Sequence, residues 1–118
     1  MEAVHLVGIG GAIGAILRYS VGLQLAHDRF PLSTLTVNVV GSFILGLFVF
    51  AGAGEDALML VGVGICGSFT TFSSFSVETV RLWEDGSRIR ASLYAVGTLL
   101  LCLVAVAVSA ALVWLAGF

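Results

Sequence analysis

Four long apolar segments make up most of this chain and constrain its fold more than any other feature. They run from about 4 to 25, 32 to 53, 57 to 83 and 89 to 115. A helix of about 20 apolar residues crosses about 30 Å of hydrocarbon, so each segment is long enough to span a membrane. The sequence therefore predicts an all-α membrane protein with four transmembrane helices.

The composition favours one membrane unit and excludes several other classes of protein. Of the 118 residues, 59% are hydrophobic and 10% are charged, and the mean hydropathy is +1.14. Four spans leave no length for a soluble domain, so we expect residues 1–118 to form a single multi-pass domain in the lipid bilayer. The net charge of −2, without a basic cluster, indicates that the chain does not bind nucleic acid.

The connections between the segments are short, so successive helices are predicted to run antiparallel, with both termini on one side. The five basic residues are all arginines. All of them lie toward the side of the membrane that holds the first and third connections. By the positive-inside rule, this bias would place that side in the cytoplasm if the chain took one orientation. The arginines are Arg18, Arg29, Arg81, Arg88 and Arg90.

The third segment contains the polar run GSFTTFSSFS, residues 67–76, which has no charged residue. Its hydroxyls are costly at membrane depth unless they face one another, water or an ion, so the run is predicted to line something. Gly64 and Gly67 weaken the helix before the threonines, which favours a break near residues 67–71, where free carbonyls could bind a cation. The alternative is an unbroken helix whose hydroxyls bond to its own carbonyls.

Other polar and aromatic side chains could belong to the same lining. Asn38 is an uncharged donor and acceptor that can join helices or coordinate an ion. Phe72 and Phe75 are three residues apart on one helix face and can offer ring edges to an anion, although such pairs more often only pack. Tyr94 and Thr98 begin a thin polar stripe on the fourth helix.

Two features of the first helix have both a structural and a functional interpretation. Arg18, near the end of the helix, must extend to the interface, pair or cap carbonyls, and it could also attract an anion to a vestibule. Gly10 and Gly14 are four residues apart, which is typical of close packing between membrane helices.

Catalytic or metal-binding chemistry has little support in this sequence. Both histidines lie at segment ends, the acidic residues lie in loops or termini, and only Glu78 is embedded. We find no nucleophile–base pair and no cluster with metal-ligand spacing, so the chain is not predicted to be an enzyme. A lining of hydroxyls, one amide and phenyl edges, without a titratable group, favours passive passage of an ion over proton-coupled pumping.

Three motifs occur in order along the chain: GGAIGAILRY at residues 10–19, TVNVVGSF at 36–43 and GSFTTFSSFS at 67–76. With them, the chain resembles the Fluc (CrcB) family of fluoride channels over essentially its whole length. The resemblance implies a fluoride-selective channel in the cell (inner) membrane, through which cytoplasmic fluoride exits by passive electrodiffusion. It also implies an antiparallel, dual-topology dimer of four-helix subunits with two pores, each lined by both subunits.

The resemblance also implies roles for individual residues. Asn38 would bind fluoride through hydrogen bonds, and Phe72 and Phe75 would offer their ring edges to it. The backbone carbonyls of Gly67 and Thr70, at the helix break, would bind a structural sodium ion on the dimer axis. The remaining residues implied are those of a polar track and one arginine at the vestibule: Ser73, Ser74, Tyr94, Thr98 and Arg18.

The partner and the function each have an alternative. An antiparallel homodimer is favoured because this chain carries all the motifs, whereas the one-sided arginines fit a heterodimer with a paralogous subunit of opposite bias. A small proton-coupled multidrug exporter is the alternative function, but it needs an embedded carboxylate, usually in the first helix, where this chain has only Glu2. A non-transporting assembly subunit would leave the hydroxyl run unexplained.

Overall fold

The computed structural model describes residues 2–25 and 30–118. In this described part of the chain, four helical spans are long and apolar enough to cross a membrane, as predicted. They are built from helices that are numbered here α1 to α5. Their bounds are α1 Ala3–Gln24, α2 Leu32–Phe50, α3 residues 55–69, α4 Phe72–Glu84 and α5 Arg88–Leu115.

Turn-forming residues set the ends of the spans. Pro31 directly precedes α2, where its missing N–H is not needed. Gly52 and Gly86 follow α2 and α4 with φ angles of 70° and 85°, in the left-handed region that glycine adopts without steric cost. These glycines end the helices sharply, which keeps the connections short.

The first predicted connection begins with His27, Asp28 and Arg29. These residues belong to the range 26–29, which lies outside the described residues. The description resumes at Phe30 and Pro31, directly before α2.

The third span, Glu55–Glu84, is interrupted within the hydroxyl run. In α3 the segment Leu58–Cys66 is π-helical, and the helix ends before Thr70. Thr70 and Thr71 are extended, with ψ angles of 161° and 122°, and α4 begins directly after them. The predicted helix break is therefore confirmed and narrowed to two residues, and the alternative of an unbroken helix is wrong.

The third span packs closely on α1 at the predicted small residues. Gly10 and Gly14 are buried, and a Cβ added at either would overlap a backbone carbonyl of α3, that of Leu60 or that of Ile65. Backbones can approach this closely only where side chains are absent, so these glycines serve helix packing as predicted. Because α2 packs on α3 and α5, and α4 packs on α5, the break lies inside the bundle of helices.

Candidate functional site

The break between α3 and α4 is bonded to the side chain of Asn38 on α2. The N–H of Thr71 donates to Asn38 Oδ1 at 2.7 Å, and Asn38 Nδ2 donates to the carbonyl of Thr71 at 3.0 Å. In an unbroken helix this N–H would bond to the carbonyl of Gly67, four residues earlier. Bonds from a neighbouring helix thus satisfy the backbone where it is extended.

Hydroxyls of the polar run satisfy backbone groups on both sides of the break. Thr70 Oγ1 donates to the carbonyl of Cys66 at 2.8 Å, near the end of α3. Thr71 Oγ1 accepts the N–H of Ser74 at 3.2 Å, which caps the N-terminus of α4. The same oxygen lies 3.3 Å from Ser73 Oγ. These hydroxyls therefore stabilise the break itself.

A cavity of about 370 Å³ lies beside the break, between α2, α3, α4 and α5. It brings together several residues predicted for the fluoride path and the sodium site: Asn38, Phe72, Phe75, Thr98, Gly67 and Thr70. The other wall residues are small, apolar or hydroxyl-bearing: Gly41, Ser42, Leu45, Gly62, Cys66, Thr71, Leu99 and Cys102. None of these wall residues carries a formal charge, so we name this space the uncharged cavity.

Thr98 lines the uncharged cavity and carries a buried hydroxyl. Its side chain is 5% exposed, and its Oγ1 has no hydrogen-bond partner in the part of the chain that the structure describes. A threonine in a helix commonly bonds to a carbonyl three or four residues earlier. A buried hydroxyl without a partner costs about 1–3 kcal/mol, which a bound species with hydrogen-bonding capacity would recover.

Three aromatic rings follow one another from the surface of the chain inward. The ring centroids of Phe72 and Phe75 are 5.9 Å apart, and those of Phe75 and Tyr94 are 5.3 Å apart, both pairs tilted by 42°. Phe72 is 79% exposed, whereas Tyr94 is fully buried. The predicted aromatic pair is therefore present, and its outer ring projects from the single chain.

A carboxylate that the sequence did not assign to the site is part of it. Thr34 Oγ1 donates to Glu78 Oε1 at 2.9 Å, and the hydroxyl of Tyr94 donates to Glu78 Oε2 at 3.1 Å. The prediction that the lining has no titratable group is therefore wrong at Glu78, where α4 contacts α2 and α5. A signal was present in the spacing, because Glu78 follows Phe75 by three residues and Thr34 precedes Asn38 by four.

A second cavity, of about 260 Å³, shares the residue Thr71 with the first. Its walls are mainly polar and include both charged groups of the site: Arg18, Gly22, Ser33, Thr34, Val37, Thr71, Ser74 and Glu78. Arg18 is exposed, and its Nη1 donates to the carbonyl of Thr70 at 3.5 Å. We name this space the charged cavity, and the vestibule role of Arg18 stays a prediction.

Two predicted track residues are not among the residues that line either cavity. Ser73 is exposed at the N-terminus of α4, beside Thr71. Tyr94 is buried behind Phe75 and reaches the charged cavity only through its bond to Glu78. Of the predicted track, Ser74 and Thr98 lie in cavity walls, on opposite sides of the break.

The four spans and the two cavities at a helix break are typical of small multi-pass membrane proteins with an internal polar path. Within that class, the family described as CrcB-like protein, Camphor Resistance (CrcB), matches residues 5–110. The chain belongs to the CrcB family.

Relatives with assigned functions cover most of the chain. The protein named Fluoride-specific ion channel FluC 2 of Haloarcula marismortui is 59% identical over 106 residues, which are 90% of this chain and 89% of the relative. The FluC 2 of Natronomonas pharaonis is 52% identical over 106 residues, 90% of each chain. The FluC of Shewanella amazonensis is 45% identical over 113 residues, 90% of this chain and 91% of the relative. The predicted family is confirmed, and the exporter alternative has no support.

Proposed function

We propose that this chain forms a fluoride-selective channel, not an enzyme, through which cytoplasmic fluoride crosses the cell membrane by passive electrodiffusion. The observation that carries the proposal is the uncharged cavity beside the break, in a chain whose relatives are named fluoride-specific ion channels. Donors without a formal charge can replace water around an anion and still release it, as conduction requires.

Several kinds of donor converge on the uncharged cavity. Asn38 and Thr98 both line it, and the hydroxyl of Thr98 has no partner among the residues that the structure describes. The N-terminus of α4, at Phe72, adds the partial positive charge of a helix dipole. The ring edges of Phe72 and Phe75 are also partially positive. Fluoride is a small anion that accepts strong hydrogen bonds, and this donor set suits it.

The remaining site residues would extend the path beyond the break. Arg18 and Ser74 line the charged cavity, where the guanidinium would raise the local concentration of anions at the mouth. Ser73 lies at the start of α4, and Tyr94 bonds to Glu78 on the same helix. We assign these hydroxyls to the polar track and Arg18 to the vestibule.

An antiparallel, dual-topology homodimer is the assembly that we propose, with residues 1–118 as one four-helix domain in each subunit. The uncharged cavity opens at the surface of the single chain, and Phe72 beside it is 79% exposed. Its wall is mainly apolar but includes polar groups such as the amide of Asn38, which are costly toward hydrocarbon unless protein or water covers them. A second copy in the opposite orientation would cover the opening and complete two equivalent pores.

The one-sided arginines support a heterodimer as the alternative assembly, with a paralogous partner of opposite charge bias. Relatives named FluC 1 and FluC 3 occur together in Methanosarcina acetivorans. Two differently tagged copies of this chain, expressed without any paralogue, test the assembly. In a homodimer the tags should co-purify, and a terminal cysteine should be labelled from both sides of the membrane. Labelling from one side alone would favour the heterodimer.

A structural sodium ion would bind at the break through backbone oxygen atoms. Among residues 2–25 and 30–118, no group of three or more His, Cys, Asp or Glu residues could hold a metal ion. The carbonyl of Gly67 lacks its helical donor because the N–H of Thr71 bonds to Asn38 instead. Carbonyl oxygens are ligands that hard cations accept, so Gly67 fits, whereas Thr70 shares its carbonyl with Arg18. The carbonyls of Gly67 and Thr70 from each subunit would surround the ion, with that of Thr70 also accepting the bond from Arg18.

Ion release from liposomes tests the function. Reconstituted protein should release fluoride and retain chloride, as measured with ion-selective electrodes. Phe72→Ile and Phe75→Ile remove the ring edges but keep apolar bulk, so each should lower fluoride release about tenfold.

Phe50→Ile is the matched control, because Phe50 is an exposed ring at the far end of α2. This variant should release fluoride at the unmodified rate. Equal release of fluoride and chloride by the unmodified protein would contradict the proposed function. Normal release by both pore variants would remove the role of the ring edges and leave the channel in place.

A further inference from the structure

We propose that Asn38 and Thr71 form one positioning unit, in which the extended backbone of the break fixes the orientation of the Asn38 amide and so aims its remaining N–H into the uncharged cavity. The unit rests on the proposed function, because fluoride is the ligand that this N–H would meet. Thr71 is then a positioning residue of the anion site, although it acts through its backbone.

The backbone of Thr71 contacts both ends of the Asn38 carboxamide. Its N–H donates to Oδ1 at 2.7 Å, and its carbonyl accepts from Nδ2 at 3.0 Å. Rotating the amide by half a turn would set N–H against N–H and oxygen against oxygen. Both pairs would then be repulsive and unsatisfied, so only one orientation of the amide is compatible with the break.

One N–H of Asn38 is used by neither of these bonds. A primary amide has two N–H donors and one acceptor oxygen. The cyclic pair with Thr71 uses the oxygen and the N–H on the same side of the amide, so the other N–H points away from Thr71. Asn38 is part of the wall of the uncharged cavity, and so is Thr98. The remaining N–H is therefore the amide donor that the cavity can use.

The helix break and the donor depend on each other in this arrangement. If the third span became a continuous helix, the N–H of Thr71 would return to the carbonyl of Gly67. Asn38 would then lose an acceptor bond and its fixed direction. A donor that is already oriented does not have to reorganise when an ion arrives, which is why a fixed amide favours binding.

Isotope labelling can observe this amide by itself, because Asn38 is the single asparagine of the chain. Reconstituted full-length protein with ¹⁵N in the asparagine side chain should give two amide proton signals by NMR. When sodium fluoride replaces sodium chloride at constant sodium, one signal should shift and the one bonded to Thr71 should not. Gln24, the single glutamine, is exposed on α1 and serves as the matched control, because neither of its amide protons should respond.

Two variants separate positioning from donation. Asn38→Asp keeps an oxygen for the N–H of Thr71 but has no amide donor, whereas Asn38→Ala loses both groups. The backbone amide of Thr71 should exchange with solvent about tenfold faster in Asn38→Ala than in the unmodified protein, and more slowly in Asn38→Asp than in Asn38→Ala. Fluoride release should fall at least about tenfold in both.

The outcomes separate the proposed positioning unit from the proposed channel function. If both Asn38 protons shift together, or neither shifts in a protein that releases fluoride, the proposed unit is wrong and the channel function stands. Normal exchange of Thr71 in Asn38→Ala would also overturn the unit. If the protein releases no fluoride but Asn38 still protects the Thr71 amide, the function is refuted and the positioning contact is supported. The labelling of unmodified protein tests the unit even if a variant does not fold.

Discussion

The third span and α5 both place threonine hydroxyls among apolar groups, but the hydroxyls have different surroundings. In the third span the chain is extended at Thr70 and Thr71, and both hydroxyls bond to backbone groups next to the break. In α5 the helix is continuous over 28 residues, and the buried hydroxyl of Thr98 has no partner within the described chain. The hydroxyls of the third span hold the break together, whereas the hydroxyl of Thr98 makes no such bond within the described chain.

The difference follows from the backbone. Where α3 ends and α4 begins, carbonyls and N–H groups lose their helical partners, and nearby hydroxyls can take those places. A continuous helix satisfies its own backbone, so Thr98 could only share the carbonyl of a residue such as Tyr94, which it does not do. The same type of residue therefore bonds to the backbone in one span and has no partner among the described residues in the other.

The largest loss of stability is expected where the third span packs on α1. Gly10→Ala places a Cβ against the carbonyl of Leu60, so the two backbones must move apart. We expect a loss of about 1–3 kcal/mol in stability, measured as a lower unfolding temperature in detergent by tryptophan fluorescence. Gly8→Ala is the control on the same helix, because its Cβ would meet no atom within 4 Å. Equal effects of the two changes would contradict close packing at Gly10.

A smaller loss is expected when the cap of α4 is removed. Thr71→Val keeps the shape of the side chain but leaves the N–H of Ser74 without its acceptor. The stability should fall by about 0.5–2 kcal/mol in the same unfolding experiment. Thr71→Ser retains the hydroxyl and should restore most of the loss. A valine variant as stable as the unmodified protein would show that the hydroxyls of the third span are not structural.

The smallest effect on stability is expected in α5. Thr98→Val removes a buried hydroxyl that has no partner in the described chain, so the unfolding temperature should stay the same or rise slightly. Fluoride release should nevertheless fall about 2- to 10-fold, because the ion loses one donor. If Thr98→Val lowers stability as much as Thr71→Val while ion release is normal, the contrast between the two spans is wrong.

The spans could be predicted from the sequence because hydrophobic length is a local property of the chain. The predicted segments and the observed helices differ at their ends, and these differences follow from single residues. The apolar pattern of the second segment continues to about residue 53, whereas α2 ends at Phe50, because the left-handed conformation of Gly52 ends the helix. The break in the third span was also predictable, since glycine and hydroxyl residues weaken a helix at the place where they cluster.

The contacts that build the site could not be derived from local patterns. Asn38 bonds to Thr71 across 33 residues of sequence, and Thr34 bonds to Glu78 across 44. Both contacts depend on how α2 lies against α4, which is a property of tertiary packing. Sequence spacing could show that Glu78 shares a helix face with Phe75, but not that two hydroxyls would meet its carboxylate.

The third span contains a π-helical segment, Leu58–Cys66, that could lose a residue and remain helical. A π turn is an α turn that contains one additional residue, so its two ends can keep the directions that an α-helix would give them. Deleting one residue from this segment would return a turn to α geometry while Gly67 still faced the uncharged cavity. Residues 58–66 are therefore the part of the span where we expect this chain to tolerate the loss of one residue without moving the helix break.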